Sequence, residues 1–258
     1  MPHRYCLLFV SCFLVFFTAG TAYGQFYKVY GYETLDAGEL ELVYWNSYVV
    51  SSDHQMAFFD SRVDREGLIA HSFEMEYGLS HRWTVGAYLD FFDPPGASLK
   101  YVRTKALVTY YRFYEKGSRP IDLGLYVEFI FPRKSYEDSE ELEAKLILEK
   151  DFGSWRVDLN PTFEKKISGE EVEEGMDFNL AAGIYYRQFP WIQPGLEYYA
   201  KFGELREFRS WDEQQHVLFP TIDLIFKLRY HLHAGIGIGL NDGADDLTWK
   251  TIFSVEFK

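Results

Sequence analysis

The dominant pattern along this chain is an alternation of apolar and polar side chains. Between Ile121 and Phe131 every odd-numbered residue is apolar, whereas the even-numbered positions include Asp122 and Glu128. The stretch from Met176 to Tyr186 alternates in the same way. Successive side chains on a strand face opposite sides of a sheet, so each such segment predicts a strand with one apolar and one polar face.

The whole chain divides into segments of this kind, and no helical repeat of useful length competes with them. Residues 139–150 contain good helix formers, yet Leu142, Ala144, Leu146 and Leu148 alternate, which favours a strand. Twelve strands are predicted: 38–50, 67–79, 82–92, 100–113, 121–132, 140–150, 154–165, 175–187, 191–203, 214–226, 231–240 and 247–257.

The connections between these strands alternate in length. Tight turns such as Phe152-Gly153 follow the even-numbered strands, and most odd-numbered strands are followed by longer, charged connections such as 51–66 and 203–213. An even strand count with alternating short turns and long loops is typical of outer-membrane barrels. The sequence therefore predicts an all-β fold, a closed antiparallel up-and-down transmembrane β-barrel over residues 38–258. Its tight turns and both chain ends should lie in the periplasm.

A soluble β-sandwich also alternates, but the strand lengths and the aromatic residues favour the barrel. Many predicted strands have 11–13 residues, which suits a tilted membrane crossing. Trp and Tyr prefer the level of the lipid headgroups, and several aromatics directly follow tight turns or end the last strand, where only Lys258 follows the final aromatic. The predicted membrane-belt aromatics are Trp83, Trp155, Trp191, Trp249 and Phe257.

Residues 1–24 have the features of a signal peptide. Arg4 gives a basic start, Tyr5–Phe17 is apolar, and Ala22-Tyr23-Gly24 precedes a predicted cleavage before Gln25. The alternative, a transmembrane anchor, requires about 20 apolar residues, more than this run contains. The next segment, 25–37, is predicted to be a periplasmic N-terminal lead-in, and the location is predicted to be the bacterial outer membrane.

Composition narrows the function classes. After loss of the signal peptide the chain has 25 basic against 39 acidic residues, a net charge of −14, which speaks against nucleic-acid binding. Both cysteines, Cys6 and Cys12, lie in the signal segment, so the mature chain has no disulfide. The 49 aromatic residues suit a protein with a lipid-facing band.

If the apolar faces contact lipid, the polar faces line the lumen. Their acidic bias would favour cations in a water-filled path. The alternative is that the charges pair across strands and fill the barrel. The lumen-lining candidates are Glu74, Glu76, Asp90, Arg103, Lys105, Asp122, Tyr126, Glu128, Arg156, Asp158, Asp177, Arg187, Glu197, Lys201 and Asp223.

Catalytic and metal-binding patterns are weak. His71 and Ser72 are adjacent, so they face opposite sides of a strand and cannot pair directly. His231 and His233 share a face but have no third ligand at a suitable spacing. Asp245 and its acidic neighbours could ligate Ca²⁺, although acidic turns are usually only solvated. The sequence therefore predicts no enzyme, no cofactor and no metal site.

Four segments carry a family resemblance: Gly38–Val43, Glu74–Trp83, Phe219–Asp223 and Gly235–Leu247. Through these strand and turn features the chain resembles transporter-like outer-membrane β-barrels of the phenol-degradation meta-pathway type and related uncharacterised outer-membrane barrels. The resemblance implies passage of small solutes, for which aromatic compounds are candidates, and supplies no catalytic residues.

The sequence thus supports two hypotheses. The first is a channel or transporter for small solutes with an acidic, cation-favouring lumen. The second is a barrel with a blocked lumen that serves as a structural or partner-docking component without transport. The expected partners are outer-membrane lipid, the barrel-assembly machinery and small solutes, with no nucleic acid.

Overall fold

A computed structural model describes residues 26–227 and 229–258 of the chain. The predicted signal peptide, 1–24, lies outside the described residues. Within this described part the only helical element is a short 3₁₀ turn, and no helix is long and apolar enough to cross a membrane.

Twelve of the strands form one closed antiparallel barrel, and two short strands form a separate hairpin. The strands are β1 Leu40–Ser51, β2 Gln55–Phe58, β3 Ser61–Asp64, β4 Ile69–Ser80, β5 Trp83–Asp93, β6 Lys100–Arg112, β7 Asp122–Pro132, β8 Glu141–Phe152, β9 Trp155–Lys166, β10 Asp177–Tyr186, β11 Ile192–Glu204, β12 Gln215–Phe226, β13 Tyr230–Gly239 and β14 Leu247–Phe257. The 3₁₀ turn is Glu170–Glu173.

The last strand closes the barrel against the first. β1 pairs with β14 from Leu40 opposite Phe257 to Ser51 opposite Leu247, and on its other edge with β4. Each remaining barrel strand pairs with its neighbours in the chain. Closure leaves no open sheet edge, which is the condition for crossing hydrocarbon with strands. The predicted twelve-stranded barrel is confirmed, including β8 within the helix-prone segment 139–150.

The two faces of each strand differ as the alternation predicted. Along β7 buried and half-buried residues alternate without interruption. On β14, Thr248 and Lys250 are buried, whereas Trp249 and Phe257 are exposed on the outer face. Large apolar side chains are exposed on the outer face around the barrel, among them Phe73 on β4. This apolar band is the surface that lipid covers.

The two ends of the barrel differ in their connections. We call one end the tight-turn end, formed by residues 81–82, 113–121, 153–154 and 187–191 together with the link from β12 to β13. The other, the long-loop end, carries the remaining connections. The hairpin β2–β3, which the sequence did not predict, lies in the first long loop.

This hairpin packs over the long-loop end of the lumen. Met56 and Phe58 are buried in one cluster with Phe92 and Val102 of the barrel wall. Arg65, which follows β3, holds Asp245 of the last loop through two hydrogen bonds, of 2.8 Å from Nε and 2.5 Å from Nη2. The acidic turn considered for Ca²⁺ is therefore engaged in a buried ion pair.

The core of the molecule lies inside the barrel and includes the N-terminal segment. Tyr30 is buried in one cluster with Trp45 and Tyr126, and Tyr27 is buried in another with Phe219. The sequence placed residues 25–37 in a periplasmic lead-in. The structure differs, because residues 26–35, here called the lumen segment, lie inside the barrel. The physical reason is that the aromatic side chains of this segment bury their rings against the wall.

Candidate functional site in the barrel lumen

The lumen segment crosses the barrel along its length. At the long-loop half, Phe26 packs against Phe92, with ring centres 6.3 Å apart. At the tight-turn end, the Leu35 N–H donates to Thr84 Oγ1 at 2.9 Å, next to the turn between β4 and β5. Several backbone N–H and carbonyl groups between these points form hydrogen bonds with polar side chains of the wall and not with a neighbouring strand.

The middle of the segment is held by an amide side chain. The Tyr30 N–H donates to Asn160 Oδ1 at 2.7 Å, and Asn160 Nδ2 donates to the Tyr30 carbonyl at 3.0 Å. Asn160 is fully buried on β9. The Tyr30 ring packs on Tyr126 at 4.8 Å, and the Tyr126 hydroxyl donates to Glu128 Oε2 at 2.7 Å. Wall and segment therefore share one polar and aromatic network.

A second network surrounds Glu197 on β11. Tyr185 and Tyr199 donate their hydroxyls to its two carboxylate oxygens at 2.5 and 2.6 Å, and the Lys250 ammonium binds it directly. Lys250 also donates to the Tyr27 carbonyl at 3.3 Å. A buried charge requires such partners, and here the same lysine that neutralises Glu197 also fixes the lumen segment.

A third contact lies near the tight-turn end. The Tyr32 N–H donates to Glu149 Oε2 at 2.7 Å, and Lys116 Nζ lies 2.7 Å from Glu149 Oε1 and 2.9 Å from Glu33 Oε1. Burial of the ammonium lowers the pKa of Lys116, but its bonds to Glu149 and Glu33 outweigh this effect and raise the pKa above its ordinary value. Lys116 therefore remains charged and joins the segment to the wall.

Across the wall, several lumenal charges pair with each other. Each pair joins neighbouring strands or nearby positions on one strand, and its carboxylate is buried. Such pairing is how proteins accommodate charge away from bulk water. The pairs are Arg103 with Asp90 at 2.7 Å, Lys105 with Glu128 at 2.6 Å, Lys145 with Glu143 at 2.8 Å and Arg156 with Asp158 at 2.8 Å.

Glu74 differs from these carboxylates. Trp45 Nε1 donates to its Oε2 at 2.9 Å, while its Oε1 is buried and has no hydrogen-bond partner among the described residues. The nearest cation is Lys28 of the lumen segment, whose Nζ lies 3.9 Å from Oε2. The same ammonium lies 4.7 Å from the Trp45 ring centre and 4.5 Å from the Tyr30 ring centre.

Beside this ammonium lies a small internal cavity of about 90 Å³. Lys28, Trp45, Tyr88 and Asp90 are among the residues that line it. Its volume is that of roughly three water molecules. The lumen is therefore narrow at this level while the segment is in place.

The structure places the predicted lumen candidates in three settings. Asp177, Lys201 and Asp223 are half-buried on their strands, as is Glu76. Arg187 lies outside β10 at the tight-turn end and binds Asp151. Those that are buried or enter the networks and ion pairs above are Glu74, Asp90, Arg103, Lys105, Asp122, Tyr126, Glu128, Arg156, Asp158 and Glu197.

The predicted belt residues all have exposed side chains. Trp83 and Trp155 begin β5 and β9 directly after tight turns, and Trp191 precedes β11. Trp249 and Phe257 are exposed on β14. The contact of these rings with lipid headgroups stays a prediction.

Sequence reasoning missed the segment that fills the lumen. The signal was present, because Phe26, Tyr27, Tyr30 and Tyr32 give this stretch more aromatic residues than a solvated linker would have. Its position is set by contacts with residues more than a hundred positions away, such as Tyr30 with Asn160. No local pattern reports such contacts.

The histidine and serine considered for catalysis point to opposite faces. Ser72 is buried and donates to Asp90 Oδ1 at 2.5 Å. The Nδ1 of His71 lies 2.7 Å from the hydroxyl of Tyr44 on the outer face. The two side chains therefore have separate partners and form no dyad.

Comparison with known proteins gives a structural likeness without a sequence match. No family model matches the chain, and no curated protein matches it. A COG4313 outer-membrane channel from Pseudomonas putida F1 has a similar structure, with a TM-score of 0.63 and 16% identity over 88% of this chain and 98% of that chain.

Two porin structures are also similar. The KdgM porin has a TM-score of 0.56 and 9% identity, covering 84% of this chain and 99% of that chain. The NanC porin has a TM-score of 0.53 and 8% identity, with the same two coverages. The first of these structures is an outer-membrane channel, and the other two are porins. Together with the closed barrel and its apolar outer band, these likenesses identify this chain as a twelve-stranded β-barrel of the bacterial outer membrane, with the fold that these channels and porins share.

Proposed function

We propose that the barrel is a channel for small solutes with an acidic, cation-favouring lumen, and that the lumen segment holds it closed. The observation that carries this proposal is a row of three glutamates on neighbouring strands. Glu41 on β1 lies directly opposite Glu76 on β4 and Glu256 on β14. Like charges opposite each other destabilise a sheet, so a structural role alone gives no reason for the row.

The position of this row suits a path for cations. By register it shares the lumenal face with Val43 and Trp45, and it lies toward the tight-turn end of the barrel. A ring of carboxylates in a narrow path concentrates cations and repels anions. The lumen segment passes the same level, so a solute would need the segment to move.

A second candidate, the structural or docking barrel without transport, is favoured by the filled lumen. The segment, the ion pairs and the β2–β3 hairpin all occupy space that a solute would need. The two candidates differ in whether the segment leaves the lumen under any condition.

Conductance of the purified protein in planar bilayers separates them. We expect openings whose reversal potential in a salt gradient reports preference for cations. Glu41→Gln, Glu76→Gln and Glu256→Gln together should lower that preference. A control with Gln at the exposed loop positions Glu170 and Glu173 should leave it unchanged. Absence of conductance, together with absence of solute uptake in liposomes, would overturn the channel proposal.

A further inference from the structure

The Lys28 ammonium occupies a site that the wall provides and the lumen segment fills. The wall contributes the Trp45 ring, 4.7 Å from Nζ, and the buried carboxylate of Glu74, 3.9 Å from Nζ. An aromatic face together with a carboxylate is the arrangement by which proteins recognise organic ammonium groups. The segment itself adds the Tyr30 ring, at 4.5 Å.

Glu74 depends on the segment for its cation. Its neighbours Asp90, Glu128 and Glu143 have Arg103, Lys105 and Lys145 as wall partners at 2.6 to 2.8 Å. Among the described residues, the ion pair of Glu74 is with Lys28. Of these four carboxylates, Glu74 is the one whose ion-pair partner comes from the segment, so withdrawal of the segment leaves this buried carboxylate without its cation.

The carboxylate is also held ready for a ligand. Trp45 Nε1 fixes Oε2 of Glu74 at 2.9 Å, and Oε1 is buried without a partner among the described residues. An unsatisfied buried carboxylate oxygen is costly, and a donor entering from the lumen would satisfy it. Glu41, Glu76 and Glu128 act on the Lys28 ammonium as well, so the surrounding field favours a cation.

We propose that Trp45 and Glu74 form a binding site for small alkylammonium solutes and that Lys28 occupies this site as an internal substitute while the lumen segment is in place. The inference rests on the proposed channel function and names its solute class. A solute ammonium takes the place of the Lys28 ammonium when the segment withdraws. The adjoining cavity of about 90 Å³ gives room for a short alkyl chain.

The probe follows from the lysine itself. n-Butylammonium reproduces the lysine side chain beyond Cα, whereas n-butanol and butyrate are a neutral and an anionic counterpart of similar size. In planar bilayers, n-butylammonium should block the Lys28→Met channel at a concentration roughly tenfold lower than the one that blocks the wild-type channel, because the competing Lys28 ammonium is absent. Lys28→Gln is a second variant that keeps a polar side chain. Lys134→Met removes an exposed lysine in the loop after β7 and is the matched control.

Removal of the wall groups should reverse the tighter block by n-butylammonium. Adding Glu74→Gln or Trp45→Leu to Lys28→Met should weaken the block by roughly tenfold. If n-butylammonium blocks Lys28→Met no better than n-butanol does, or if Glu74→Gln leaves the block unchanged, the binding-site proposal is overturned. The channel proposal would still be supported by the measured conductance.

A measurement without conductance keeps the two proposals separate. Isothermal titration of n-butylammonium into folded, detergent-solubilised Lys28→Met should show binding that Lys28→Met/Glu74→Gln lacks. If no variant conducts but this difference is present, the channel proposal fails and the binding site stands. Equal heats for both variants would overturn the site.

Discussion

Asn160 pairs with the backbone of Tyr30 as a neighbouring strand would, accepting from its N–H at 2.7 Å and donating to its carbonyl at 3.0 Å. The two residues are 130 positions apart, and both are buried in the lumen. A single side chain of the wall thus replaces a ladder partner for a segment that belongs to no sheet.

Removal of this amide should loosen the lumen segment. Asn160→Leu leaves a buried N–H and carbonyl without partners, at a cost of about 1–3 kcal/mol to the closed arrangement. We expect more frequent openings in planar bilayers and faster amide hydrogen exchange over residues 26–35. Asn179→Leu, on neighbouring β10, is the control. Exchange that is unchanged in Asn160→Leu would contradict an anchoring role.

Lys250 should be needed for stability because its carboxylate partner is buried. Lys250→Met removes the lysine partner of the buried Glu197 charge, which is 1% exposed and keeps His233 Nε2 at 3.3 Å, and we expect a loss of about 3–5 kcal/mol in free energy of unfolding. Adding Glu197→Gln removes that charge and should restore much of the loss. Urea unfolding of the detergent-solubilised barrel, followed by tryptophan fluorescence, measures both effects. A double variant as unstable as Lys250→Met would contradict the pairing argument.

Gly237 on β13 is required by an aromatic neighbour. A Cβ added at this position would overlap the ring of Phe219 on β12. Gly237→Ala should therefore destabilise the barrel by about 1–3 kcal/mol through overpacking. Phe219→Leu should relieve the clash when it is combined with Gly237→Ala. Thermal melting by circular dichroism tests the pair, and additive losses in the double variant would contradict direct contact.

The tight-turn end carries an exposed ion pair whose contribution to stability depends on pH. Arg82 Nη2 donates to Glu115 Oε1 at 2.6 Å, and this bond lowers the pKa of the Glu115 carboxyl below its ordinary value. A lowered native pKa means that the pair stabilises the fold above the unfolded pKa, and that this contribution is lost as the pH falls through the native one. NMR titration should show the pKa of Glu115 returning to its ordinary range in Arg82→Met. No change would show that the pair is not formed in solution.

The belt prediction can be tested with quenchers. Trp155 is 46% exposed beside Tyr186, with ring centres 4.8 Å apart, at the start of β9. In a variant that keeps only this tryptophan, a lipid quencher attached to the headgroup should reduce its fluorescence more than one at the chain terminus. A variant that keeps only Trp45, which lies in the lumen, should respond weakly to both. Equal quenching of Trp155 at both depths would contradict the belt.

The sequence by itself determined the wall of this protein. The alternation from Ile121 to Phe131, and the same alternation in the other strands, determined which side chains face lipid and which face the lumen. The strand count followed from the turns between the strands. This works because side-chain direction on a strand is a local property with a period of two. Even the segment 139–150, which is rich in helix-forming residues, forms a strand, since burial of one face outweighs local helix propensity.

Only the tertiary structure decided what fills the barrel. Tyr27 lies beside Lys250 across 223 positions of chain, and Lys28 reaches Glu74 and Trp45 on β4 and β1. Whether residues 26–35 lie outside the barrel or inside depends on pockets that exist only once twelve strands have closed. Contacts of that kind combine residues from many strands, so no short stretch of the sequence contains them. The lumen site forms only when the closed barrel brings these residues together.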